Sequence, residues 1–244
     1  MNELKLNNKR TILVGLAFLS ICSFWQMYDN LVPLILRKTF HMDESLTGVI
    51  MAADNVLALF LLPFFGGLSD KTRTKLGSRT PYIIAGTAGA VILMNLLPAL
   101  DNSYAAGAAP YKLVSFVIVL GLLLIAMGTY RSPAVALMPD VTPKPLRSKA
   151  NAIINLMGAV GGILYLGVTA VLYPTARTKG LDHVNYQPLF LVVSGIMIAA
   201  VAVLLLTIKE PKLAKENREL EKKHPEWNLA KDDGTGHETL PAPV

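Results

Sequence analysis

Three ionisable side chains, Asp29, Asp54 and Arg131, interrupt otherwise apolar stretches of this chain. A charge inside such a stretch is costly unless it is paired or hydrated, so each is a candidate for chemistry. Counting ~1.5 Å per residue from Arg10 and Asp70, Asp29 falls ~28 Å and Asp54 ~24 Å along their helices, so the two carboxylates can share a level. Facing one aqueous cavity they repel, and one of the pair can then hold a proton near neutral pH. Asn55 adjoins Asp54, while Gln26 and Asn30 flank Asp29, a grouping that equally suits the lining of a wet vestibule. Arg131 stands ~13 Å along its helix from Asp140. A guanidinium there binds hydroxyls or carboxylates as a fork, or neutralises Asp54 when nothing else does. A fixed interhelical ion pair is the plainer alternative.

A second constellation is the stretch from Gly66 to Ile83, where Asp70, Lys71, Arg73, Lys75 and Arg79 crowd a short turn between long apolar runs. Glycines Gly66 and Gly77 permit close backbone approach there. Asp70 and Arg79 can reach neighbouring helix ends as charged latches.

The elements that must carry these residues follow from composition. The chain has 244 residues, 52% of them hydrophobic and only 16% charged, with a mean hydropathy of +0.45. Such a chain is built for a bilayer. Six runs can each cross ~30 Å of hydrocarbon. They cover roughly Thr11 to Leu36, Ser45 to Gly67, Pro81 to Leu100, Lys112 to Met138, Lys149 to Tyr173 and Gln187 to Ile208. The first follows Lys5, Lys9 and Arg10 but is too long for a signal peptide and carries Asp29, so it stays as a helix. The fold class expected is an all-α membrane protein, a six-helix transmembrane bundle. It divides into an N-terminal arm (1–10), a transmembrane domain (11–208) and a charged linker or tail (209–244). A short helix is expected near 213–223, and disorder beyond Pro225 around Asp232 to Gly236 and Pro241 to Pro243. The echo between 72–77 and 176–180 hints at two inverted three-helix repeats.

Lysine and arginine number ten in the N-terminal arm and the connections after the second and fourth runs, against five in the intervening loops. By the positive-inside rule both termini are cytoplasmic. The net charge of +6 therefore reads as a topology signal, and the tail from Lys209 is slightly acidic, which disfavours nucleic acid as a partner. Cys22 is the single cysteine, so no disulfide framework is available. His41, His183, His224 and His237 are scattered, so neither a metal site nor a cofactor is expected. A membrane enzyme such as a phosphatidyl-transferase needs clustered carboxylates or a nucleophile site that this arrangement does not offer.

The turn resembles the signature loop between helices two and three of the major facilitator superfamily, in the spacing found in sucrose transporters and related glycoside-cation symporters. Pro63, Gly66, Ser69, Asp70, Lys71, Gly77, Arg79, Pro81 and Ile83 carry the likeness. A second block, Ser132, Pro133, Ala136, Leu137, Asp140, Arg147, Ala150 and Asn151, is similar to the helix-four to helix-five region of the same transporters. Ser78 and Thr80 stand where related loops often carry arginine. Ala58 and Leu62 stand where the melibiose-type branch has aspartates, so that branch's sodium chemistry is not carried over.

The resemblance implies the N-terminal half of a twelve-helix transporter, in a plasma (cell inner) membrane, moving a sugar or glycoside with a cation, a proton first among them. The missing partner is then a C-terminal six-helix half or a second copy. It also implies that Asp70, Arg79, Asp140 and Arg147 form a network holding the inner side closed. Trp25, Phe24, Tyr28 and Tyr130 are candidates for stacking on a sugar ring, though packing or interface anchoring is the common role of such aromatics. Efflux of another small organic solute, a half-size subunit acting as a dimer, and a truncated fragment without function remain alternatives. The glycines Gly86, Gly89, Gly158, Gly161, Gly162 and Gly167 are read as packing sites.

Overall fold

A computed structural model describes residues 5–181 and 183–228. The four N-terminal residues of the arm and the tail around Asp232 to Gly236 and Pro241 to Pro243 lie outside the described residues. Among those described, the chain is helical, with an isolated bridge between Thr74 and Gly77. The helices are α1 (Asn8–Lys38), α2 (Glu44–Lys71), α3 (Thr80–Ala106), α4 (Pro110–Val141), α5 (Arg147–Leu172), a single turn α6 (Thr175–Thr178), α7 (Gln187–Thr207) and α8 (Glu210–Lys223). Six of them, α1 to α5 and α7, are long and apolar enough to cross a membrane.

Local chemistry sets their starts. Asn7 Oδ1 accepts the Arg10 amide at 3.0 Å, and Asp43 Oδ1 accepts that of Leu46 at 2.7 Å, each satisfying an orphan donor. Prolines Pro81, Pro110 and Pro188 sit in the first turns of α3, α4 and α7, where a missing amide costs nothing. Several ends run past the sequence estimate. α2 continues to Lys71 rather than Gly67, because Ser69 Oγ and Thr72 Oγ1 donate to the carbonyls of Gly66 and Leu68 and keep the last turn wound. α3 continues to Ala106 rather than Leu100.

α1 is the central helix, packed against α5 and α7 and touching α4 and α2; α3 packs on α4 and α7. Because lipid is as apolar as leucine, these contacts depend on close fit rather than on escape from water. A Cβ on Gly161 would stand 2.1 Å from the Leu19 carbonyl oxygen, so α1 and α5 meet backbone to backbone. Ser23 Oγ donates to the Gly161 carbonyl at 2.8 Å across the same contact. A Cβ on Gly86 would meet the Tyr130 amide at 2.6 Å, which does the same for α3 and α4. α2 is different: only Thr47 and Ser69 are buried along it, and Val56, Leu59, Phe60 and Phe64 are all exposed.

α8 lies across the ends of α3 and α4 at the end of the bundle that carries the chain's N-terminus and the basic turn, here termed the basic end. Glu210 and Asn217 are buried in that contact although α8 is otherwise strongly polar.

Candidate functional site

The first site is built on α1, α2 and α4. Trp25 of α1 carries the Arg131 guanidinium over its indole, 5.5 Å from the ring centroid, an arrangement in which the ring quadrupole stabilises the cation. Phe24 and Tyr28 meet the same indole edge-on at 5.4 and 5.3 Å. Trp25 Nε1 and Tyr28 OH are both buried without a hydrogen-bond partner among the described residues, which leaves two donors unspent. Asp54 lies within electrostatic reach of both Tyr28 and Asp29. Asp54 Oδ1 accepts from the Asn55 amide at 2.6 Å and from Asn55 Nδ2 at 2.8 Å.

Among the described residues none of Asp29, Asp54 and Arg131 forms an ion pair. The fixed pairing of Arg131 with Asp54 is thus not the observed arrangement. Asp29 and Asn55 are exposed, while Gln26, Asp54 and Arg131 are half-buried. Gln26 accepts Asn30 Nδ2 through its carbonyl at 2.6 Å, and its side-chain oxygen faces Gly162 of α5.

Tyr130 stands apart from this group. It is fully buried, its hydroxyl pairs with Ser20 Oγ, and it donates to the Ala17 carbonyl at 3.1 Å. Its phenol therefore stitches α4 to α1 and fixes the register of its neighbour Arg131.

The second site lies at the basic end and is centred on Arg79, only 7% exposed. Its guanidinium pairs with Asp70 and with Asp140 Oδ2 (2.8 Å), and donates to Ser69 Oγ at 2.6 Å. One side chain thereby ties the end of α2 and the end of α4 to the start of α3. Burial disfavours the charge, but Asp140 and Asp70 more than offset it and push the Arg79 pKa up. Gly66 sits where α2 crosses α4: a Cβ there would be 3.0 Å from Ser132 Oγ, which donates to the Leu62 carbonyl at 2.8 Å. Lys71 is exposed.

Residues beyond the sequence motif complete this site. The Glu210 carboxylate at the start of α8 enters the N-terminus of α3. Oε1 accepts from the Ser78 and Arg79 amides at 2.6 and 2.9 Å, and Oε2 accepts from the Thr80 amide and hydroxyl at 2.8 and 2.7 Å. A carboxylate is well placed there because the amides are orphan donors and the helix dipole favours a negative charge. This explains Gly77: its φ is +117°, and a Cβ would fall 2.3 Å from the Glu210 carboxylate. Asn217 Nδ2 donates to the Asp140 carbonyl at 3.2 Å. Arg147 donates to the Pro139 and Thr142 carbonyls at 3.0 and 3.1 Å and to Glu221 Oε1 at 2.8 Å. Arg147 thus caps α4 and clamps α8 and is not paired with Asp70 or Asp140. Glu210, Asn217 and Glu221 were not singled out in the sequence. The one available signal was Glu210 followed by Pro211, a helix start directly after an apolar run.

The family model for the Major Facilitator Superfamily matches residues 14–236. The chain belongs to the major facilitator superfamily. Among the relatives of this superfamily member, sucrose transport protein SUC3 of Arabidopsis thaliana is 31% identical over 141 residues, 52% of this chain and 23% of that protein. Sucrose transport protein SUT4 of Oryza sativa subsp. indica is 29% identical over 139 residues, 52% of this chain and 23% of the relative. Solute carrier family 45 member 3 of Homo sapiens is 25% identical over 185 residues, 74% of this chain and 33% of the relative. The matched segments thus span between about a quarter and a third of those relatives' length. The six apolar spans together with this membership make the chain a multi-pass membrane protein.

Proposed function

We propose that this chain is the N-terminal six-helix half of a secondary transporter that moves a sugar or glycoside together with a proton by alternating access. One observation carries the reading: the Arg131 guanidinium lies over Trp25, next to two unspent buried donors, Trp25 Nε1 and Tyr28 OH, within the apolar bundle, while Asp29 and Asp54 form no ion pair among the described residues. Unpaired charge at membrane depth is retained for function. Trp25 offers a flat apolar surface for the C–H face of a sugar ring. Trp25 Nε1, Tyr28 OH and the Arg131 fork offer donors for its hydroxyls, and Asp54, steadied by Asn55, offers an acceptor. A proton held by the Asp29–Asp54 pair removes their repulsion and lets the site accept a neutral solute. The likeness to sucrose transport proteins supports this substrate class.

The Arg79 network serves as the gate. It joins three helix ends through one buried cation, an arrangement that is either whole or broken, which suits a bundle that rocks between two states. In this reading the basic end faces the cytoplasm of a plasma membrane, as the lysine and arginine bias supports. The exposed apolar length of α2 faces either the second six-helix half or lipid.

The test is uptake of labelled sucrose into proteoliposomes carrying the protein expressed from its complete coding region, with an imposed inward proton gradient. Accumulation that collapses with a protonophore, and that other glycosides but not amino acids inhibit, supports the proposal. Uptake indifferent to the gradient, or inhibited by amino acids and not by glycosides, overturns it.

A further inference from the structure

Beside the gate, between the basic ends of α3 and α7, runs a groove of about 360 Å3 that shares only Thr80 and Glu210 with the second site. Its floor is Leu76, Ile84, Leu205 and Ile208. Leu76 is 57% exposed in a turn otherwise made of polar and basic residues, and Ile84 is 38% exposed. Further along the same two helices Ile92, Ile198 and Leu206 are exposed as well, so the groove opens onto the membrane face of the bundle. Lys75, Lys209 and Lys212 stand at its polar mouth. Among the described residues Lys75 and Lys209 form no ion pair, and Lys212 reaches only the exposed Glu216, at 3.9 Å. The carboxylate at the groove, Glu210, is turned into the α3 amides, where the helix dipole already answers its charge.

We propose that this groove binds one anionic phospholipid of the leaflet at the basic end, its phosphate held among Lys75, Lys209 and Lys212 and an acyl chain lying along the apolar floor. Charge complementarity and position select this occupant. A soluble anion makes no use of a floor that faces hydrocarbon, and a zwitterionic lipid gains less from three lysines gathered at one depth. An acyl chain also covers Leu76, which the described residues leave 57% exposed. Each lysine contributes roughly a fivefold preference for the anionic headgroup. The inference is independent of the sugar, of proton coupling and of which side of the membrane the basic end faces.

Native mass spectrometry of the full chain released from nanodiscs of phosphatidylcholine mixed with a minority of phosphatidylglycerol tests this. The protein is expected to retain one phosphatidylglycerol in strong preference to phosphatidylcholine. The triple variant K75Q/K209Q/K212Q should lose that preference by tenfold or more. R73Q/R218Q/K222Q, which removes equal charge at the same end, should keep it. Ile84→Trp, which fills the groove and leaves the lysines in place, should also reduce retention, with folding checked by the melting of each variant. Equal retention of the two lipids, equal loss in the two triple variants, or retention unmoved by Ile84→Trp overturns the proposal. So does equally tight binding of free glycerol phosphate, which marks a headgroup-only anion site.

Discussion

Replacing Glu210 by glutamine preserves shape and removes one acceptor oxygen and the charge. In the native site Oε1 serves the Ser78 and Arg79 amides and Oε2 serves the Thr80 amide and hydroxyl, all between 2.6 and 2.9 Å. Whichever way the new amide is turned, its NH2 faces a backbone N–H, and at least one buried donor loses its acceptor. That costs about 1–3 kcal/mol. Loss of a negative charge at a helix N-terminus adds about 0.3–1 kcal/mol, and more in a buried setting. The sum is about 1.3–4 kcal/mol, which for a chain of this size is a fall in melting midpoint of roughly 3–15 °C. Cys22, wedged with its sulfur against Gly158 between α1 and α5, is the chain's single thiol, so a thiol-reactive fluorophore reads unfolding without further engineering. Because membrane proteins often unfold irreversibly, midpoints are compared at one scan rate. The control is Glu219→Gln on the exposed side of the same helix, 4.0 Å from Lys215, expected within about 0.5 kcal/mol of the parent. A Glu210→Gln midpoint indistinguishable from that of the control would refute the reasoning that α8 is fastened through the α3 amides.

Gly77→Ala should destabilise at least as much as Glu210→Gln, since it adds a strained positive φ to a 2.3 Å clash with the same carboxylate; the double variant should then be less than additive in the same melting assay. Gly161→Ala should lower stability by about 1–3 kcal/mol by driving α1 from α5, again read by melting. Arg79→Lys keeps the charge but cannot span Asp70, Asp140 and Ser69 at once; a cysteine placed at Ser132 in a Cys22→Ser background should then be labelled several-fold faster from the basic end. Trp25→Leu removes the stacking face and the Nε1 donor and should raise the KM for sugar uptake about tenfold, the measure of one lost polar and stacking contact.

The sequence and the structure agree where the physics is local. The six spans were legible because lipid demands long unbroken apolar helices. The turn was legible because few residue types satisfy so tight a reversal. Which face of a span points inward was not legible, since core and lipid sides are equally apolar; hence Tyr130, read as a stacking candidate, proves to be a buried tie to Ser20 and Ala17. Glu210 was hidden for another reason. Its partners lie about 130 residues away in the chain, and nothing in a stretch rich in lysine and glutamate separates the one carboxylate that turns inward from those that stay in water.

The most direct test of the central claim, that Asp29 and Asp54 couple a proton to solute movement, is Asp54→Asn assayed for two modes of transport in the same proteoliposomes. The account predicts that accumulation driven by an imposed proton gradient is lost while exchange of labelled for unlabelled sugar at equal pH persists, because exchange needs the binding face but not the release of a proton. Gradient-driven accumulation that survives Asp54→Asn with its pH dependence intact would contradict it.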